Sequence, residues 1–124
     1  MQRIKHLLIL LIGIFILHAC EYDFIEPPIP VPPDPTDTIS FATEVAPIFG
    51  EQGCLACHSG TINPDLSPAN AYQSIINNSF VDLDNPAQSI IYTKPTPGGS
   101  HSATYTPDQS AVVLVWIEQG ANDN

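Results

Sequence analysis

Six of the nine residues from Pro27 to Pro35 are proline. Proline fixes φ and withholds a backbone N–H, so this stretch can be neither a helix interior nor a central strand. Polyproline II is its natural state. At about 3.1 Å per residue it holds whatever follows roughly 30 Å from whatever precedes it. The alternative use of such a run is as a recognition motif for proline-binding modules. Either way it divides the chain into a leader and one small folding unit, expected over 39–124. A unit of that size buries a modest core and often leans on a cofactor or cross-links.

The leader, MQRIKHLLILLIGIFILHAC, has Arg3 and Lys5 ahead of an unbroken apolar run from Leu7 to Leu17. As helix that run covers roughly 16 Å, too short for a bilayer core of about 30 Å. Its length suits the apolar part of an export signal, with the small residue Ala19 behind it. Leu17-His18-Ala19-Cys20 resembles a bacterial lipobox, although His18 is an unusual occupant. That resemblance implies a signal peptide over 1–19 and lipidation of Cys20, which heads a linker over 20–38. The alternative is an ordinary signal peptide with a cysteine after its cleavage site. Lipidation is the expectation, because a lone exposed thiol is a liability in an oxidising compartment.

Without residues 1–19 the chain keeps thirteen acidic residues against Lys94 alone, a formal charge of −12. Such a surface repels nucleic acid and anionic lipid, so a charged partner should present a basic face. The same shortened chain has no methionine, and its histidines are His58 and His101.

Four helix-like segments and no convincing strand alternation predict an all-α domain. SFATEVAPIFG starts from Ser40 as N-cap and closes at Gly50, with Phe41, Val45, Ile48 and Phe49 on one face and Pro47 as a kink. Ser67-Pro68 and Asn85-Pro86 each read as a cap followed by proline at the first helical position. Thr106-Pro107-Asp108-Gln109 is a capping box opening AVVLVWIEQ, and Gly120 is its stop.

GCLACHSG, residues 53–60, carries the remaining two cysteines and one of the two histidines. Cys-x-x-Cys-His is the attachment signature of c-type haem. On a helical turn, positions i and i+3 project to the same side, so Cys54 and Cys57 can form thioethers with both vinyl groups of one haem. His58 then supplies the proximal ligand to iron. A thioredoxin-like pair would need a strand–helix–strand setting, which is absent. A Cys54–Cys57 disulfide would staple almost nothing. Zinc held by Cys54, Cys57, His58 and His101 is the sharpest rival, but adjacent Cys57 and His58 would share one ion awkwardly.

The likeness extends beyond the pentapeptide. Phe41, Val45, Pro47, Ile48 and Phe49 before it, and Trp116, Ile117, Gly120 and Ala121 near the end, resemble the flanking helices of class I c-type cytochromes with a single haem. The resemblance covers 39–124. It implies a small helical fold around one covalent haem, first and last helices crossing beside it, and one-electron exchange at iron.

The chain departs from that pattern where the family's methionine ligand would stand. GGSHSATY places His101 among glycine and serine, and His101 is the expected distal ligand. The alternatives are an open or water-bound iron, or Lys94 after loss of its proton. Two imidazoles favour ferric iron more than imidazole with thioether, as does surplus negative charge, so a low midpoint potential is expected. With no arginine after residue 19, haem propionates would be left to Trp116, tyrosine or serine hydroxyls, backbone N–H groups, Lys94 or water. Trp116, Tyr72, Tyr92 and Tyr105 are expected to be packing residues, and Pro64 or Pro68 could offer a carbonyl to the proximal imidazole.

The function expected is electron transfer by a lipid-anchored envelope protein, periplasmic or cell-surface, docking a basic redox partner and no nucleic acid. No acid–base pair is visible, so a carrier rather than an enzyme is expected. The rival is a haem-based sensor or small-ligand binder whose sixth position is open or displaceable.

Overall fold

The computed structural model describes residues 2–6, 33–34 and 36–124. The apolar run Leu7–Leu17, Cys20 and most of the proline stretch lie outside the described residues. Among those described, no helix is long and apolar enough to cross a membrane, and there is no strand. The fold is all-α.

Ser40 caps the first helix as its residue type predicts, its hydroxyl accepting from the Thr43 N–H at 3.3 Å. Glu44 answers, accepting from the Ser40 N–H at 2.7 Å. The helix opens as a π-turn, Phe41–Val45, and tightens into α1, Ala46–Glu51. The change falls just before Pro47, which has no N–H to offer the turn behind it. Gly50 does not end the helix. Gly53 does, at φ 70°, a left-handed conformation that glycine adopts without a Cβ penalty. A 3₁₀ turn, Cys54–Ala56, follows at once.

Two of the predicted helices are shorter than their proline signals suggest. Ser67-Pro68 opens a turn, and α2 begins three residues later, Ala71–Asn77. Asp65 shapes that turn, its carboxylate accepting from the Ser67 N–H at 3.0 Å and from the Asn70 side chain at 2.8 Å, while Ser67 O accepts from both the Asn70 and Ala71 N–H groups at 2.9 Å. Asn85-Pro86 starts a 3₁₀ turn, Pro86–Gln88, then the chain extends at Ser89 before α3, Ile90–Thr93. Buried Ser89 accepts from the Asp82 N–H at 2.9 Å, and this tertiary bond divides what the local sequence would run as one helix.

The last helix, α4, Pro107–Glu118, matches its sequence signals at both ends. Gln109 N–H donates to Thr106 Oγ1 at 3.2 Å, and Thr106 N–H donates to Gln109 Oε1 at 2.9 Å. At the other end Gly120 N–H bonds Ile117 O and Ala121 N–H bonds Trp116 O, both at 2.9 Å, a Schellman arrangement.

Phe41 is the hub of the core. Its ring centre lies 5.2 Å from those of Trp116 and Tyr72 and 6.5 Å from that of Phe49, joining the first helix to α2 and α4. Such aromatic pairs add about 0.5–1.5 kcal/mol each beyond the area they bury. Trp116 Nε1–H donates to Asn122 O and the Tyr72 hydroxyl to Ala121 O, each at 3.0 Å. Asn124 closes the unit, accepting from the N–H groups of Phe41 and Ala42 at 2.9 and 3.0 Å. Packing starts at Ile39, which is buried. With α4 fixed against the first helix, the short segments between them are left to wall a cleft.

Candidate functional site

The 3₁₀ turn delivers the Cys-x-x-Cys-His run onto that cleft. His58 N–H donates to Cys54 O at 2.9 Å, and Leu66 N–H donates to His58 O at 2.7 Å, so the backbone is held on both sides of the imidazole. Cys54 is buried and lines the cleft; Cys57 is exposed and does not. Both are free thiols. Burial pushes the Cys54 thiol above its ordinary value.

The segment after His58 folds back on its ring. His58 Nδ1 lies 2.9 Å from Pro64 O and 3.2 Å from Ile62 O. A ring nitrogen against two carbonyl oxygens must donate, so Nδ1 carries a proton, and in the neutral imidazole the lone pair is then on Nε2. Of the two prolines weighed as carbonyl donors to this imidazole, Pro64 is the one in place.

Opposite stands His101, on the loop between α3 and α4. Tyr105 N–H donates to Pro95 O at 2.7 Å and pins the base of that loop, while the buried Tyr105 hydroxyl donates to Ile91 O at 3.0 Å. His101 Nδ1 is 3.0 Å from Ala103 O and 3.3 Å from Ala103 N. The two contacts ask opposite roles of Nδ1, which accepts from the Ala103 N–H in one tautomer and donates to the Ala103 carbonyl in the other. His58 therefore has Nδ1 held by backbone carbonyl, the pattern that fixes tautomer and orientation in metal-ligating histidines, while His101 is oriented by both backbone groups of Ala103.

The two rings are 5.9 Å apart, centre to centre, and inclined by 31°. Two imidazoles bonded from opposite sides to one metal atom, at about 2.0 Å per bond, place their ring centres roughly 6 Å apart. The ring-centre separation matches that spacing. It does not suit zinc bound by four protein ligands: among the described residues no three His, Cys, Asp or Glu side chains gather closely enough to hold an ion, and Cys57 stands outside.

The cleft has a volume of about 220 Å³. Sites that enclose a drug-sized ligand hold about 300–1,000 Å³, so this one grips part of such a ligand and leaves the rest to solvent. Its walls are Pro64, Leu66, Phe80, Ile90, Ile91, Pro95 and Tyr105, with Asn63, Lys94, Cys54, His58 and His101 as the polar or reactive members. Sequence reasoning anticipated the two histidines, Cys54 and Lys94. It missed Leu66, Phe80 and Ile91, whose signal is weak: Leu66 stands alone between polar residues, and Phe80-Val81 and Ile90-Ile91 are short apolar pairs with no long-range cue.

Trp116, the resemblance's helix marker, lies in the core away from this cleft, as do Phe41 and Phe49. No protein-family model, curated protein or solved structure matches the chain.

Proposed function

We propose that this chain carries one c-type haem, covalently joined through Cys54 and Cys57, and passes single electrons in the cell envelope. The neighbouring pair His58 and His101, with ring centres 5.9 Å apart on one cleft and His58 Nδ1 held by the Pro64 carbonyl, is the observation that carries the reading. When bound, the haem supplies a reversible one-electron couple at iron. The residues do the rest. His58, oriented by Pro64, would offer Nε2 as one ligand to the iron, and His101, oriented by Ala103, would be the second. Leu66, Phe80 and Ile91 line the same cleft, and an apolar wall of this kind suits a porphyrin face.

The lipobox-like end and the proline stretch extend the proposal to a protein lipidated at Cys20 and mounted on an extended stalk. Its acidic surface favours a basic redox partner, with an exchange rate that falls as salt rises. A sensor of small ligands is the second reading, favoured by the glycine-flanked loop on which half-exposed His101 sits. One experiment tests both. The full chain is expressed with the haem-attachment machinery, its mass is measured, and its reduced visible spectrum is recorded with and without carbon monoxide. A mass increased by one haem and a spectrum indifferent to the gas are expected. Prompt gas binding favours the sensor, and a colourless chain of unmodified mass overturns both.

A further inference from the structure

The charges in this chain are distributed against the overall trend at one place. Ten acidic residues lie between Asp34 and Asp123, and none lines the cleft. Lys94, the sole Lys or Arg after residue 5, does. A strongly acidic domain thus has a cleft with no carboxylate in its wall and its single fixed cation on the rim. Inside, the walls are apolar.

We propose that the cleft selects a ligand with a flat apolar body and an anionic edge, and that Lys94 is the residue that pairs with the anion. Other side-chain donors weighed for a carboxylate are wholly or partly engaged, and Lys94 is the cation among them. Tyr105 gives its hydroxyl proton to Ile91 O and Trp116 gives its N–H to Asn122 O, both at 3.0 Å. Asn63 Nδ2 is engaged with Asn78 Oδ1 at 3.4 Å. Lys94 makes no side-chain hydrogen bond among the described residues, and its exposed ammonium keeps three donors available. The proposal rests on the haem reading for the identity of the anion, the propionate carboxylates; the charge pattern itself does not depend on that reading.

The test uses an iron-free probe, so that neither histidine ligation nor thioether formation contributes. The full chain, made without the haem-attachment machinery, is titrated by fluorescence with protoporphyrin IX and with its dimethyl ester, whose carboxylates are blocked. A charge-assisted pair at a half-exposed site predicts that the wild-type chain prefers the diacid on the order of three- to tenfold, and that salt erodes the preference. Lys94→Gln should bring the diacid to the level of the ester, and Lys94→Arg should keep the preference. Equal binding of diacid and ester by the wild type, no binding of either, or a preference that survives Lys94→Gln overturns the proposal. Covalent haem in the matured protein is measured separately. Haem present without diacid preference sinks only the role of Lys94, and diacid preference without covalent haem sinks only the cytochrome reading.

Discussion

A Cβ added to Gly99 would stand 2.5 Å from the carbonyl oxygen of Lys94, and 2.8 and 3.1 Å from those of Thr96 and Thr93. All three are backbone atoms that cannot rotate away. The loop that carries His101 two residues later closes only because this position has no side chain. Gly99→Ala must therefore displace the loop, with an overpacking cost of about 1–3 kcal/mol. Gly98 is the control. It has φ 81° with nothing near its missing Cβ, so Gly98→Ala costs about 1 kcal/mol of backbone strain and leaves the loop in place. In haem-loaded protein, carbon monoxide should bind Gly99→Ala readily and Gly98→Ala no better than wild type. Equal gas binding by both variants would show that Gly99 does not position His101.

Replacing His101 tests the distal ligand directly. A thioether favours ferrous iron relative to an imidazole, so His101→Met should raise the midpoint potential of the loaded protein. His101→Ala should leave the sixth position to water and admit carbon monoxide. A redox titration showing one potential for wild type and both variants would remove His101 from the iron.

The start of α4 is tied to the haem-motif side of the fold. Gln109 accepts from Gln52 Nε2 at 2.8 Å and donates to Glu51 Oε2 at 3.0 Å, besides its part in the capping box. Thr106→Ala removes one cap bond and should cost about 1 kcal/mol, lowering Tm by roughly 4–8 °C in a domain of this size. Gln109→Ala loses the reciprocal cap and both contacts to the end of α1, so its Tm should fall further than that of Thr106→Ala. Thermal melts of the two variants rank the effects, and a smaller drop for Gln109→Ala would show the cross-helix bonds to be without weight.

What was legible in the sequence was what is decided locally. Ser40, the Thr106–Gln109 box and Gly120 are bonded to residues a few positions away, so their types and spacing suffice. Ser67 and Asn85 carry equally good local signals and open only turns, where side-chain bonds of Asp65 and of Ser89 with Asp82 hold the chain. The candidate site divides in the same way. The Cys-x-x-Cys-His run is contiguous and readable, and the resemblance pointed to His101 and Lys94 as candidates in the later loop region, both of which line the cleft. The carbonyl from Pro64, the clash at Gly99 and the wall made by Leu66, Phe80 and Ile91 depend on how distant segments return to one place, and no spacing rule encodes that.

The unloaded chain should lose stability in alkali, through two groups in the cleft wall. Burial raises the Cys54 thiol above its ordinary value of 9.0. Burial, with Cys54 as a neighbouring charge, raises the Tyr105 phenol well above its ordinary 10.0. In the folded chain both therefore keep their protons to higher pH than in the unfolded chain. The folded state binds more protons in that window, so stability is complete below the unfolded values and falls as pH rises from about 9 upward. Urea unfolding of the unloaded chain from pH 7 to pH 10.5 should show this decline, and Cys54→Ala should lessen its earlier part. Thioether formation leaves Cys54 nothing to titrate. The haem-loaded protein should then lack the same earlier part and keep only the decline due to Tyr105; a matured protein whose profile matches the unloaded chain's would mean that Cys54 is still a thiol.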